Sequence, residues 1–523
     1  MVEQAAVDRR RDRIAHIIVL MMENRSFDHL LGYLQHPHPD FPRLDAIDVS
    51  CPIDPSPANE HGVRTTPTAT PVLGVDPDHA HQAVMLQMFG REGTPGVGNP
   101  SMNGFIESYR RKIVAGTLHP QHWWQRWLGA ALARLKPVWR WLRRRPDPAV
   151  TRAVAIMECF PEREIPVLAA LVRQFAVMVN WHASVPGETW PNRQFAHAAT
   201  SHGTANIEPN FYSDKTIFEL LEQADPARSW GVYHDGVAQV WAYDRLWSGG
   251  VENFHTINRL HADIRADRLP SYAFVEPNHG YGRGDGNSQH PSHNTFAGDS
   301  FMAGEALIGE IYNSLVARPE VFAKTLFLVT YDEHGGFFDH VPPRAVARPD
   351  EFIDPESGFD FSICGVRVPA VAISPLIPAG TVDTSFYEHA SIAATVRRQF
   401  APSADPLNPR DAAAADVLDH LPLLAEPRQD LVPVEISANQ IGSAETTGPK
   451  ALDAFQASLV DLAGAVRLAR EGGRLESLGP PTYVPDPSTR LAAETAVYVP
   501  GSPADRVVED VVADFAQESD GPV

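Results

Sequence analysis

A chain of 523 residues, 43% of them apolar, can bury one large core or several smaller ones. Its formal charge of -21 excludes a general nucleic-acid binder, whose phosphate contacts need a basic surface. An anionic substrate stays compatible with that charge, because a bound metal can invert the local field.

The charged start, Met1 to Arg13, leads into no signal-type apolar core, and no stretch is long enough to span a bilayer. The expectation is a cytoplasmic or peripheral membrane protein; a secreted form that has lost its leader would read the same way. Ile14–Met22 is a short apolar run that reads as a buried strand and stops at Glu23-Asn24. A carboxylate beside an amide oxygen suits a hard divalent cation, and a capped loop is the plainer reading. Asp76-Pro-Asp-His79-Ala-His81 adds imidazole donors.

Between Gln121 and Arg145, Trp124, Trp127, Leu128, Ala131 and Leu135 recur at helical spacing beside Arg126, Arg134 and Lys136. Indoles next to arginines suit a lipid–water boundary. Docking on anionic lipid would contribute about 1 kcal/mol per basic residue. The plainer reading is a helix packed on the domain with a solvated basic edge.

A helix is predicted over Ile165–Arg173, then a strand over Phe175–Val179. Thr189 precedes a helix whose first turn holds Pro191. It reads either as an N-cap or as a nucleophile, since a phosphate on its hydroxyl would meet backbone amides at the helix N-terminus. A threonine hydroxyl needs a base or metal to activate it. Ser184, in the same loop, is the rival.

After a helix at Thr216–Ala224, the strand Ser271–Val275 ends at Glu276-Pro-Asn278-His279, where His279 reads as structural. Gly280, Gly282, Gly284 and Gly286 do not fit the G-x-G-x-x-G register, so a dinucleotide site is rejected. His290 and His293 flank a Pro-Ser turn and suit phosphate binding, metal ligation or acid catalysis.

A helix at Gly304–Val316 precedes the strand Thr325–Thr330, which runs into Asp332, Glu333, His334, Asp339 and His340 around a glycine pair. Ligands in open α/β sheets sit beyond such carboxyl ends. Val368–Ile373 reads as a further strand. From about Asp430 the chain is interrupted by Pro and Gly, with one helix predicted at Ala451–Arg470; this tail is expected to wrap the main domain or stay partly disordered. Cys51, Cys159 and Cys364 form no disulfide framework or zinc-ribbon spacing and read as small buried hydrophobes.

Near-continuous apolar strands alternating with helices predict an α/β fold with a mostly parallel sheet covered on both faces. The expected division is a catalytic domain over 1–425, with the Trp/Arg-rich insertion near 121–145, and an extension over 426–523.

Taken together, Glu23-Asn-Arg-Ser-Phe-Asp28, Asp76-Pro-Asp-His79, Met102-Asn-Gly-Phe105, Ser184-Val-Pro through Thr189-Trp-Pro-Asn-Arg193, His290-Pro-Ser-His293 and Tyr331-Asp-Glu-His-Gly-Gly-Phe-Phe-Asp-His340 resemble the phosphoesterase family. That family holds bacterial phosphatidylcholine-type phospholipases C, plant non-specific phospholipases C and certain bacterial acid phosphatases. The motifs follow the family's order over roughly residues 14 to 400. The resemblance implies an alkaline-phosphatase-like three-layer α/β/α sandwich. It implies that Glu23, Asn24, Asp332 and Glu333 bind a divalent metal, and that Thr189 is the nucleophile. It implies that His79, His290 and His293 contact phosphate or protonate the leaving group. His389 lies in a segment whose neighbours depart from the family pattern. Oxygen ligands favour Ca²⁺, Mg²⁺ or Mn²⁺ over Zn²⁺.

The expected activity is phospholipase C-like hydrolysis through a phosphothreonine. The alternatives are an acid phosphatase on soluble monoesters and a catalytically silent lipid-binding protein. The expected partners are a phospholipid or small phosphoester, with membrane-surface contact through 121–145 and no nucleic acid.

Overall fold

The first apolar run forms β1, His16–Met22, which is buried along almost its whole length. This computed structural model describes residues 11–53, 62–71, 73, 75–90, 99–117, 148–208, 210–224, 229–280, 286–291, 300–436, 450–451, 454–470, 497–498 and 503–520. His293 and the segment 121–145 lie outside the described residues.

The main sheet contains β1 and seven more strands in chain order: β2 (Ala176–Met178), β3 (Trp230–His234), β4 (Phe254–Thr256), β5 (Tyr272–Glu276), β6 (Thr325–Tyr331), β7 (Ala370–Ile373) and β8 (Thr381–Asp383). Their spatial order is β8-β2-β7-β6-β1-β5-β3-β4. Every pairing is parallel except those of β7, which runs against both β6 and β2. Parallel strands covered on both faces need apolar side chains on both faces. Thr325–Tyr331 is accordingly buried at all seven positions.

Helices cover both faces. One set comprises Pro166–Gln174, Ile257–Ala266 and Ser300–Val316; the other comprises Thr189–Ala198, Ile217–Ala224 and Ala390–Phe400. The mostly parallel layered fold expected from the alternation is therefore present.

The register of the central strands places the site. Met22 of β1 pairs with Tyr331 of β6, so Glu23 and Asp332 leave adjacent strand ends side by side. On the other flank β5 ends at Glu276, which pairs with His234 of β3. The loops beyond these ends close over one another. Gly335 has φ +64, and a Cβ there would lie 2.2 Å from the Asn24 carbonyl oxygen, so this approach requires glycine.

Two C-terminal helices, Ala454–Arg470 and Pro503–Asp520, pack on one another and on the β4 edge. Leu459, Leu462, Val466, Val508, Val511 and Phe515 join the core of the main sheet. Phe515 stacks on Trp241 with ring centroids 4.2 Å apart and meets Phe254 edge-on. The first of them, Ala454–Arg470, also reaches the site: Trp190 Nε1 donates to Ser458 Oγ at 2.7 Å, and Gln456 Nε2 donates to the His279 carbonyl at 2.8 Å. Among the described residues, no helix is long and apolar enough to cross a membrane. The three cysteines are buried and free.

Candidate active site

Glu23, Asn24, Asp332, Glu333 and Thr189 converge beyond the carboxyl ends of β1 and β6, all with no more than trace exposure. Asn24 has φ 57, a left-handed conformation that Asn tolerates better than most residues. Its backbone N–H donates to Asp332 Oδ1 at 3.0 Å, and the Glu333 N–H donates to the same oxygen at 2.7 Å. One carboxylate oxygen thus ties the two acidic pairs together.

Thr189 is the first residue of its helix, after the cap position at Glu188. It therefore follows the cap instead of filling it. Its hydroxyl donates to Asn24 Oδ1 at 3.3 Å. Ser184, the rival hydroxyl, points elsewhere: Oγ donates to Glu388 Oε2 and accepts the His389 N–H.

Arg193, one turn beyond Thr189, lies beneath the pair. Its Nε donates to Asp332 Oδ2 at 3.2 Å, Nη1 to Glu276 Oε2 at 2.6 Å and Nη2 to the Met21 carbonyl at 3.0 Å. His279 Nδ1 stands 2.9 Å from Glu23 Oε1, and its Nε2 stands 3.4 Å from Glu276 Oε2.

On the other side, Asp76, His79 and His290 gather with their ligating atoms within 4.8 Å of one another. His79 Nδ1 lies 3.0 Å from the Pro77 carbonyl, a contact that assigns the proton to that nitrogen and leaves Nε2 as the other face of the ring. Gln87, on the helix His81–Phe89, meets His334 Nε2 at 2.7 Å.

The electrostatics are strongly polarised. Burial pushes the Glu23 carboxyl up, but the charge and hydrogen bond of His279, with His290 and Arg193, hold it down at about 2. Burial raises Asp332 to about 6 against the pull of Arg193, with Glu23 adding to the rise. Burial also raises Glu333 well above the usual range, against His79. Burial lowers His79, yet Glu333, Asp76 and Glu188 carry it up to about 9.

Both Glu23 carboxylate oxygens and Glu333 Oε1 lack a hydrogen-bond partner among the described residues, Glu23 Oε1 having its ion-pair contact with His279. Leaving anionic oxygens buried without a partner is costly. Together with Asn24 Oδ1 they form a donor set of the kind hard divalent cations take. The residues present therefore fit a divalent metal.

The model of the phosphoesterase family matches residues 14–401, a span that takes in every one of these groups. The chain belongs to the phosphoesterase family. Among curated relatives, non-specific phospholipase C6 of Arabidopsis thaliana is 33% identical over 475 residues, covering 87% of this chain and 81% of that protein. Non-specific phospholipase C1 of the same plant is 32% identical, over 86% and 79%. Phospholipase C A of Mycobacterium tuberculosis is 27% identical, over 74% and 73%. A solved alkaline phosphatase superfamily protein from Vibrio parahaemolyticus aligns at a TM-score of 0.31 and 14% identity, over 47% of this chain and 63% of that one. The fold is defined by the eight-stranded sheet itself. As a phosphoesterase, the protein is a hydrolase acting on ester bonds.

Of the residues expected in the site, Glu23, Asn24, Asp332, Glu333 and Thr189 come together, and His79 and His290 lie alongside; His293 falls outside the described residues. His389 sits behind the site, with Nε2 on the Asp332 carbonyl and Nδ1 accepting from Trp181 Nε1 at 3.3 Å. Asp339 and His340 serve a separate buried network. Arg367 donates to Asp28 Oδ1 at 2.7 Å and to both Asp339 oxygens at 3.2 Å, and His340 Nδ1 lies 2.7 Å from Asp28 Oδ2. That network clamps the Glu23–Asp28 loop to the Asp332–His340 loop.

Sequence reasoning missed Arg193, Glu276 and Asp76 as parts of the site and read His279 as structural. For Arg193 a signal existed, because a residue four after Thr189 lies on the same helix face. Glu276 and His279 are three residues apart, but the pairing of Glu276 with Arg193 and of His279 with Glu23 is long-range and leaves no spacing signature.

Proposed function

We propose that this phosphoesterase is a divalent-cation-dependent phosphodiesterase of the phospholipase C type, cleaving a phospholipid through a phosphothreonine at Thr189. The observation that carries the reading is the Thr189 hydroxyl, buried at a helix N-terminus and 3.3 Å from Asn24 Oδ1, in a chain one third identical to non-specific phospholipases C. The identity of those relatives favours the diester over a soluble monoester. The convergence of Thr189 with both acidic pairs disfavours a silent lipid-binding protein.

Glu23, Asn24, Asp332 and Glu333 would hold the cation, which when bound supplies positive charge that acidifies the hydroxyl and neutralises phosphate. The first-turn amides of the helix Thr189–Ala198 would orient the phosphate oxygens. Thr189 Oγ1, acidified in this way, releases its proton to water and attacks phosphorus in line. The Oγ1–P bond forms as the bond from phosphorus to the diacylglycerol oxygen breaks.

The leaving oxygen takes a proton from the histidine set. His79 suits that role, being held protonated by the carboxylates around it. Water then attacks phosphorus from the same side as the departed alcohol. The attacking water returns a proton to His79, the P–Oγ1 bond breaks, the phosphorylated head group leaves, and Thr189 Oγ1 takes a proton from water to restore the hydroxyl.

The test is Thr189→Ala, assayed in parallel on phosphatidylcholine vesicles and on a small phosphomonoester. The expected result is turnover of vesicles by the unsubstituted chain in excess of the monoester, and none by the variant at an unchanged melting temperature. Substantial residual turnover in the variant would move the nucleophile elsewhere. Preference for the monoester would replace the diesterase with a phosphatase.

A further inference from the structure

Glu276 and His279 have no part in the attack on phosphorus, yet both lie fully buried against the proposed cation ligands. Five side chains form one connected line beneath the site. Asp332 Oδ2 accepts from Arg193 Nε at 3.2 Å, and Arg193 Nη1 donates to Glu276 Oε2 at 2.6 Å. The same Glu276 oxygen stands 3.4 Å from His279 Nε2, and His279 Nδ1 stands 2.9 Å from Glu23 Oε1. Carboxylates alternate with nitrogen bases throughout, and the exposure of all four ion-paired contacts is zero.

The members come from five places in the chain: the ends of β6, β5 and β1, the helix after Thr189, and the loop after β5. Asp332 and Glu23 each belong to a different ligand pair, so the line joins the two pairs from below. Glu276 is its centre, because one oxygen serves both bases. The His279 backbone is itself braced by Gln456 from the C-terminal helix, at 2.8 Å.

We propose that Glu276 and His279 are positioning residues that hold the Glu23 and Asp332 carboxylates in register for the same cation, Glu276 by fixing Arg193 and His279 at once. Groups behind ligands commonly set ligand aim, and their loss costs roughly 10–100-fold in metal affinity. The geometry supports that role here in three ways. Arg193 and His279 each reach a ligand carboxylate directly. Neither is exposed to solvent that could substitute for Glu276. Glu276 bonds no ligand itself, so its effect on the cation must pass through the two bases.

The proposal rests on the cation reading above, and the experiment separates the two. The full-length chain, the Glu276→Gln variant and the His279→Leu and His279→Gln variants are titrated with Mn²⁺ by calorimetry after chelator treatment. Circular dichroism and melting temperature are recorded on each. The expected result is cation binding by the unsubstituted chain, weakened about 10–100-fold in Glu276→Gln and His279→Leu. His279→Gln, which keeps an amide donor, recovers part of the loss. The kcat on a soluble diester falls with affinity while KM changes little.

Unchanged Mn²⁺ affinity in a folded Glu276→Gln, with only its melting temperature lowered, would overturn the positioning role and leave the cation site standing. Equal losses in His279→Leu and His279→Gln would also overturn it. Absence of binding by the unsubstituted chain would overturn the cation reading and this inference together. Should Glu276→Gln not fold, the two His279 variants decide the matter.

Discussion

Replacing Arg193 with Met keeps the length of the stem and removes the guanidinium. Four contacts go with it: to Asp332, to Glu276 and to the Met21 and Met22 carbonyls. Both carboxylates and the arginine are fully buried, so water cannot take over. Breaking a buried ion pair from one side costs about 3–5 kcal/mol, and the charged hydrogen bond to a carbonyl would add about 1.5–3 kcal/mol if it were independent. The contacts share one group and do not add, so the expected loss is about 3–5 kcal/mol.

The loss has a pH signature. Burial already raises Asp332 to about 6 while Arg193 pulls it down, and without Arg193 it rises further. An acid whose folded pKa lies above its unfolded value binds more protons in the native state, so stability falls as pH rises through that window. The deficit should therefore be larger at about pH 7.5 than at about pH 5. Urea unfolding followed by the fluorescence of buried Trp190 and Trp241, with chelator present, measures it. A deficit under about 1 kcal/mol at the higher pH, the worth of an exposed pair, would refute the reasoning. So would a deficit that grows on acidification.

Ser184→Ala should retain activity within a few-fold and lose about 1–3 kcal/mol of stability, since it leaves a buried acceptor at Glu388 short of one donor; loss of turnover as complete as in Thr189→Ala would contradict the assignment. Arg367→Met should destabilise the loop clamp by about 3–5 kcal/mol while leaving Mn²⁺ affinity near that of the unsubstituted chain, and a collapse of affinity in a folded variant would join the two networks. Phe515→Ala should cost about 3–5 kcal/mol at the aromatic contact with Trp241 and expose the Pro503–Asp520 helix to limited proteolysis; unchanged protection would show that the helix is held elsewhere. Chelation should abolish activity, and Ca²⁺, Mg²⁺ or Mn²⁺ should restore it better than Zn²⁺; full activity after exhaustive chelation would remove the cation from the mechanism.

The parts of the fold legible in the sequence were those whose apolar runs break abruptly into polar residues. Ile14–Met22 and Thr325–Thr330 mark β1 and β6 to within two residues, and the carboxylates that follow them mark the site. The reversal of β7 was not legible, because an apolar run carries no direction. Strands β3, β4 and β8 are short edge-side elements with mixed composition, and no run announces them. The helix Pro503–Asp520 does carry a signal in the sequence, with Val508, Val511 and Phe515 at helical spacing. Within the candidate site, residue type and strand-end placement pick out the groups that the structure brings together and that are proposed to face a ligand. Arg193, Glu276 and His279 act through one another, and their pairing depends on strand order, which a single sequence does not encode.

The central claim is a covalent phosphothreonine at Thr189, and rapid acid quenching during turnover of a phosphatidylcholine, followed by peptide mass spectrometry, tests it most directly. The expected result is a phosphocholine adduct on the peptide containing Thr189, localised to that hydroxyl and missing from Thr189→Ala. An adduct on another residue, or vesicle turnover by Thr189→Ala at the rate of the unsubstituted chain, would contradict it.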